Sequence, residues 1–359
     1  MQENDNIRFF LGANSPRGFY SLYDQLIDPK QAQAIYILKG GPGCGKSTLM
    51  RRVAAQAEEK GEQVEYIHCS ADPDSLDAIV LHGAKIAIVD GTAPHVIEPH
   101  YPGVVDFYVN LGDCYNKTGL QTKRQEIMNC MVGYTDCYKH AYHCLNAAEA
   151  ITENMRLSLS SQAIDDKIAK RSHGILNREA RSSGQETGRI TRRFLSAVTH
   201  QGVLTCYSTA SILCKRLYFL EDSYGFSHRM LTHLLAGLSQ SGYDVIACPS
   251  PMAPDRLEHL LVPELSLGFL RVPPDHSTHK RPYRKIRMDA MIDPELLRQN
   301  KNRLRFSRKV SAALIDEAAD SLARAKKMHD NLEALYNPHV DFAQVCRIAD
   351  ELSDSILAH

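Results

Sequence analysis

The sequence predicts a duplicated α/β protein with two sheets flanked by helices and a helical arm after each sheet. Three observations support this prediction. A short apolar run leads through a glycine-rich loop into a helix. Apolar segments of the first half recur in the same order in the second half. Each half ends in an amphipathic stretch that has few residues that break a helix. With 359 residues, 43% hydrophobic and 23% charged, the chain suits about two folded domains and is not dominated by disorder.

Composition also narrows the classes of function. Lys and Arg total 42, as do Asp and Glu, so no global charge draws the protein to nucleic acid or an anionic membrane. Ten cysteines without a C-x-x-C pair favour reduced thiols. The polar start MQENDNIRFF differs from a secretory signal, and no apolar run reaches the roughly 18–20 residues of a membrane helix. We therefore expect a cytoplasmic protein without a membrane partner.

The first strand, loop and helix contain the strongest motif. The apolar run 35–38 precedes Gly40 to Ser47, which matches G-x-x-x-x-G-K-[ST], and a helix-compatible stretch continues to about Glu59. This order of strand, loop and helix is the context that the P-loop, or Walker A motif, requires. The fold predicted for each copy is therefore a P-loop NTPase-like parallel sheet flanked by helices.

Each residue type in this motif has a chemical reason. The glycines let the backbone wrap closely around phosphates, while the loop N–H groups and the helix N-terminus face the anion. Lys46 is expected to reach the β- and γ-phosphates, Ser47 to bind Mg²⁺, and Thr48 to contact the α-phosphate. The predicted binding residues are Gly41, Pro42, Gly43, Cys44, Gly45, Lys46, Ser47 and Thr48.

A magnesium site needs a second acidic group, which commonly ends a neighbouring strand. The apolar segment 84–91 places Asp90 in that position, and we predict that it binds the metal and shares the catalytic role with Lys46. Asp72, after another strand-like segment, is the alternative. His95 and His100 follow Asp90 and could line the site, although exposed loop histidines explain them as well.

Two further observations bear on the nucleotide and the reaction. Residues 116–119 read NKTG and lack the final Asp of the guanine-specific N-K-x-D motif, so the predicted nucleotide is ATP. Gly91 stands after Asp90, where many ATPases have a glutamate that orients water, which argues against rapid hydrolysis.

The second half repeats the first in three segments. The pairs are 8–18 with 194–202, 35–38 with 217–220, and 60–76 with 241–257. The counterpart of the glycine-rich motif, residues 221–231, keeps Gly225 but places His228 opposite Lys46 and Arg229 opposite Ser47. We therefore expect only the first half to bind nucleotide and Mg²⁺.

Three segments carry a resemblance to a known family. They are FFLGANSPRGFYSLYDQL (9–26), YILKGGPGCGKSTLM (36–50) and VDGTAPHVIEPHYPGVVDFYVNLGD (89–113). They resemble cytoplasmic bacterial proteins, mostly Gram-positive, that have two tandem P-loop-like halves and are described as ATPases or nucleotide-kinase-like ATP-binding proteins. The resemblance implies that the first half binds nucleotide through Lys46 and Ser47. The degraded second loop departs from that family's pattern.

Helical arms complete the predicted organisation. Residues 120–170 and 295–335 read as helix, Pro338 interrupts, and helix resumes at 341–357. The predicted domains are a P-loop nucleotide-binding domain (1–116), a helical arm (117–180), a linker (181–192), a degenerate P-loop-like domain (193–292) and a second arm (293–359).

The expected function is ATP binding with Mg²⁺-dependent hydrolysis or transfer to a small phosphoryl acceptor. Whether the chain is an ATPase, a nucleotide-kinase-like enzyme or no enzyme stays open at this point. One alternative is a non-catalytic ATP-dependent switch whose arms bind a protein partner. Another is a nucleic-acid-dependent ATPase using the basic segment 280–309, although a solvated helix face explains that segment better and nucleic acid is not favoured as a partner.

Overall fold

The computed structural model describes residues 6–94, 96–180, 186–273 and 281–357. The strands of the first half are β1 (Ile7–Phe9), β2 (Gly12–Ser15), β3 (Gly18–Ser21), β4 (Ala34–Lys39), β5 (Val64–His68), β6 (Leu76–Leu81), β7 (Ile86–Asp90) and β8 (Asp106–Asn110). Its helices are α1 (Lys46–Glu59), α2 (Lys117–Thr122), α3 (Arg124–Leu159) and α4 (Gln162–Glu179). Six strands form one sheet in the order β1-β5-β6-β7-β4-β8, and β2 and β3 form a separate hairpin.

The second half repeats this arrangement. Its strands are β9 (Ile190–Arg192), β10 (Ser196–Thr199), β11 (Gly202–Thr205), β12 (Arg216–Glu221), β13 (Val245–Ser250), β14 (Ala253–Val262), β15 (Leu267–Val272) and β16 (Arg284–Arg287). Its helices are α5 (Tyr207–Leu213), α6 (Ser227–Gln240), α7 (Pro294–Tyr336) and α8 (Phe342–Leu357). The sheet order β9-β13-β14-β15-β12-β16 matches the first sheet strand for strand. The chain is therefore a duplicated α/β fold.

Each sheet is mixed, so the prediction of a parallel sheet is wrong on this point. In the first half β6 runs antiparallel to both β5 and β7, and β14 does the same between β13 and β15. The segments 69–75 and 82–85 that flank β6 are short, whereas a parallel crossover needs about a dozen residues. In the first sheet the parallel pairs are β4–β7, β4–β8 and β1–β5, and in the second sheet they are the equivalent β12–β15, β12–β16 and β9–β13.

Equivalent residues of the two halves meet across an approximate two-fold axis. Phe10 and Phe194 each donate a backbone N–H to the other's carbonyl at 2.9 Å, and both side chains are buried in a core shared by the halves. The long helices α3 and α7 pack antiparallel. Near one end Cys130 Sγ lies 3.4 Å from the Met328 carbonyl oxygen, and near the other Thr152 Oγ1 lies 3.1 Å from Ser311 Oγ.

The last helix of each arm packs on the opposite half. Helix α8 lies on α1, where Arg52 pairs with Asp350 at 2.5 Å, and α4 lies on α6, where Arg229 pairs with Asp165 at 2.5 Å. The second half thus contributes α8, which covers α1 of the first half, and the first half contributes α4, which covers α6 of the second half. We call this arrangement the arm exchange.

Both predicted helical arms are present, and the first is broken into several helices. The predicted stretches 295–335 and 341–357 are present as α7 and α8. The stretch 120–170 is interrupted twice, at Lys123 between α2 and α3 and at Ser160, whose backbone is extended (φ −76°, ψ 135°). At the second break, adjacent serines compete with the helix for backbone hydrogen bonds. Of the predicted linker 181–192, residues 181–185 lie outside the described part, and 190–192 form β9 beside β13.

Among the described helices, none combines the length and apolar character needed to cross a membrane.

Candidate functional site

The glycine-rich loop (residues 40–45) connects β4 to α1. Apolar positions hold α1 against the sheet, including Leu49, Met50 and Val53, which are all at most 2% exposed. Gly43 and Gly45 have positive φ angles of 68° and 83°, a conformation that favours glycine over other residues. The loop therefore enters α1 through a sharp turn with its N–H groups grouped at the helix N-terminus.

These N–H groups form an anion-binding arrangement. Among the described residues, none accepts a hydrogen bond from the backbone N–H of any residue from 43 to 48. The N-terminus of a helix carries a partial positive charge, and successive free N–H groups there attract anions. The local backbone is thus suited to a phosphate.

Lys46 lies across this loop. Its Nζ donates to the carbonyl oxygens of Gly40 (2.6 Å) and Gly41 (2.9 Å) and lies 3.5 Å from Asp90 Oδ2. Both charged side chains are nearly buried, at 12% and 13% exposure. The structure therefore brings together the two predicted catalytic residues.

Asp90 and Ser47 offer oxygen ligands at the same sheet edge. Asp90 ends β7, which pairs with β4, and its Oδ1 accepts hydrogen bonds from the backbone N–H (2.8 Å) and hydroxyl (2.6 Å) of Thr92. Ser47 Oγ accepts the backbone N–H of Leu76 at 3.1 Å. Carboxylate and hydroxyl oxygens are hard ligands of the kind that Mg²⁺ prefers, so the residues fit such an ion.

The remaining predicted binding residues differ in what they expose. Cys44 as a whole is 1% exposed, and its side chain packs in the core under the loop. Pro42 is half-buried, and Thr48 is exposed on the first turn of α1.

The alternative residues have other neighbours. Asp72 pairs with Lys326 of α7 at 3.3 Å. His100 is exposed and donates its backbone N–H to Asp106 Oδ2 at 3.0 Å. His95 lies outside the described residues. Of the described candidates, Asp90 contacts Lys46 directly, whereas Asp72 and His100 have the other partners just given.

The junction between α7 and α8 also borders the loop, which sequence reasoning missed. The Asn337 side-chain amide, oriented to satisfy its neighbours, donates to the carbonyl oxygens of Gly43 (3.0 Å) and Glu333 (3.2 Å). Tyr336 packs against Tyr115 beside the loop, with ring centroids 5.7 Å apart and the ring planes inclined at 55°. Asn337 and Tyr336 lie at the end of α7, in the second arm. The only sign of this junction in the sequence was Pro338, which interrupts the predicted helix.

The second loop (residues 222–226) shows what an equivalent backbone binds. The Asp222 carboxylate is 2% exposed and accepts the N–H groups of Tyr224 (3.1 Å), Gly225 (2.8 Å), Phe226 (3.1 Å) and Ser227 (2.6 Å). A carboxylate of the chain itself thus occupies the anion position in this half.

The second loop is one residue shorter than the first, which corrects the sequence alignment by one position. Matching the first residues of α1 and α6 places Ser227, not His228, opposite Lys46, and His228 opposite Ser47. Matching the ends of β4 and β12 places Asp222 opposite Gly40. With either alignment the second loop lacks the lysine.

Comparison with known proteins adds one finding. Residues 21–81 match the family model described as Nephrocystin 3, N-terminal, and this segment includes β4, the glycine-rich loop, α1, β5 and β6. Neither a curated protein nor a solved structure matches the chain.

Proposed function

We propose that the first half binds ATP with Mg²⁺ at the glycine-rich loop and carries out phosphoryl-transfer chemistry there. The observation that supports this most directly is the contrast between the two loops. The second holds the Asp222 carboxylate on its N–H groups, whereas the first has Gly40 at that position and adds the cation of Lys46. An external anion would take the place in the first half that Asp222 takes in the second.

The chain's own groups have distinct roles in this proposal. The loop N–H groups and Lys46 would stabilise negative charge on the β- and γ-phosphates, and Ser47 and Asp90 would hold Mg²⁺. The metal would neutralise charge that develops on the phosphoryl oxygens. Thr92, which donates twice to Asp90 Oδ1, would keep that carboxylate oriented.

Lys46→Ala tests the nucleotide site. We expect ATP affinity to fall about 10- to 100-fold, since a hydrogen bond to a charged group contributes roughly 1.5–3 kcal/mol. The measurement is calorimetric titration with ATP, ADP and GTP, with and without Mg²⁺. His228→Ala is the matched control because His228 Nδ1 also contacts its own loop, at 2.6 Å from the Gly225 carbonyl oxygen. Equal affinity in Lys46→Ala and the control would refute the proposal.

Asp90→Asn tests the metal role separately. We expect ATP binding in EDTA to be nearly unchanged, while the gain in affinity on adding Mg²⁺ is largely lost, because the amide is a poorer cation ligand than the carboxylate. The same titration performed at a series of Mg²⁺ concentrations measures this. A full magnesium effect in Asp90→Asn would assign the metal to another residue.

The type of reaction is decided by the products. Release of free phosphate indicates an ATPase, and a labelled small acceptor indicates a kinase-like enzyme. The contact of Asn337 with Gly43 favours one second candidate, a switch in which ATP moves the end of the second arm and so alters a partner-binding surface. Tight ATP binding without either product, accompanied by a change in solution scattering, would support the switch.

A further inference from the structure

A cleft of about 570 Å³ lies between α4 and the segment formed by β16 and the turn that follows it. Six of its eleven lining residues are cationic and none is Asp or Glu. The cations are Lys167, Lys170, Arg171, Arg178, Lys285 and Arg287. We call it the basic cleft; through the arm exchange, α4 from the first arm forms one wall and the second half forms the other.

The charge of this cleft is only partly compensated within the protein. Arg178 pairs with Glu179 (3.1 Å) and Lys285 with Glu221 (2.9 Å). For Lys170, Arg171 and Arg287, the described residues provide no carboxylate within ion-pair distance. The whole chain is electrically neutral, so this concentration does not reflect a generally basic surface. Like charges held together disfavour folding, which makes an anion the natural complement.

Gly174 provides an independent observation. It lies in the interior of α4 and lines the cleft, where glycine is a poor helix former. A Cβ atom built on Gly174 would meet no heavy atom within 4 Å, so packing does not require glycine here. The missing side chain instead lets a ligand approach the helix backbone between Arg171 and Arg178.

The volume of the cleft and the residues that line it limit the class of ligand that it can bind. Its volume lies in the range of small-molecule sites, and Ile175, Ala290 and Met291 add apolar surface beside the cations. Charged groups of this kind bind phosphates, and the apolar wall suits a ring or similar group. The basic segment 280–309 contributes Lys285 and Arg287, while Lys280 lies outside the described residues.

We propose that the basic cleft binds a small polyphosphorylated ligand with an apolar or ring portion, at a site distinct from the glycine-rich loop. Because its walls come from both halves, the ligand would hold α4 against β16. The proposal does not depend on ATP binding in the first half.

Inorganic triphosphate is the probe, titrated by calorimetry into Lys46→Ala protein so that the first site contributes little. We expect one saturable site whose affinity falls as salt rises, because screening weakens exposed charges. When Lys170→Glu and Arg171→Glu are introduced into the Lys46→Ala protein, triphosphate should bind at least about 30-fold more weakly, which corresponds to roughly 2 kcal/mol. The matched control adds Lys301→Glu and Arg305→Glu, the same charge change at exposed positions of α7 outside the cleft.

Gly174→Met provides a second variant that does not depend on charge. Methionine is a better helix former than glycine and would extend into the cleft, so we expect triphosphate binding to be lost while the melting temperature does not fall. Equal affinity in the cleft and control variants would overturn the proposal. Binding of a single-stranded oligonucleotide without binding of triphosphate would also overturn it, in favour of a nucleic-acid surface.

Discussion

Arg193→Met should lower the free energy of unfolding by about 3–5 kcal/mol at pH 7, since it removes the guanidinium that pairs with the buried Glu65 carboxylate. Arg193 and Glu65 are each 5% exposed, and Arg193 Nε donates to Glu65 Oε1 at 2.5 Å. The same guanidinium donates to the carbonyl oxygens of Gln25 (2.5 Å) and Leu26 (2.9 Å), so one side chain of the second half holds three groups of the first.

The effect should depend on pH in a definite direction. Burial by itself would raise the pKa of Glu65, but Arg193 and His82 outweigh it and lower that pKa from 4.5 to about 2. A lowered pKa in the folded state stabilises the protein above pH 4.5, and this contribution is lost as the pH falls through about 2. In Arg193→Met the carboxyl pKa should rise, so the stability deficit should be smaller at pH 4 than at pH 7.

Urea unfolding at pH 4 and pH 7 measures both effects. Arg192→Met is the matched control because Arg192 is exposed beside Arg193. We expect it to change stability by no more than about 0.5 kcal/mol. A similar loss of stability in Arg193→Met and Arg192→Met would contradict the stabilising role of the Arg193–Glu65 pair. So would a loss of stability in Arg193→Met that is no smaller at pH 4 than at pH 7.

Asp222→Gly should destabilise the second half by about 3 kcal/mol, because four backbone N–H groups of a partly buried loop lose a charged acceptor. Dissolved sulfate or phosphate should restore part of this stability, since the freed N–H groups would bind the anion at the start of α6. ATP binding at the first half should remain.

Thermal unfolding in sulfate and in chloride at equal ionic strength measures the restoration. The wild-type protein under the same conditions is the control for the general effect of sulfate on stability. A gain in sulfate that is equal in the wild-type protein and in Asp222→Gly would show that the anion does not bind the vacated loop.

Local patterns in the sequence predicted the centre of the candidate site. The apolar run of β4 and the glycine-rich loop define one strand–loop–helix unit, and the apolar segment ending at Asp90 defines the neighbouring strand, so the contact between Lys46 and Asp90 followed from short-range signals. The three repeated segments predicted the duplication for the same reason, because each copy keeps the apolar pattern of its strands.

Features set by long-range contacts were not predictable in this way. Periodicity cannot give strand direction, although the short connections around β6 were a usable sign of antiparallel pairing. The one-residue difference between the loops was hidden because His228 and Ser227 are equally unlike Lys46. The contacts of Asn337 and Tyr336 depend on α7 crossing to the other half, and a single sequence has no pattern for that choice.

The arm exchange has a consequence for the origin of the chain. Two separate copies of a half-length polypeptide, each covering the other's loop helix, would form a closed homodimer with two identical sites. Joining the copies end to end keeps every contact and removes the requirement that the sites be the same. The first site could then keep Lys46, while the second acquired Asp222 and now serves to stabilise the half that carries the first site.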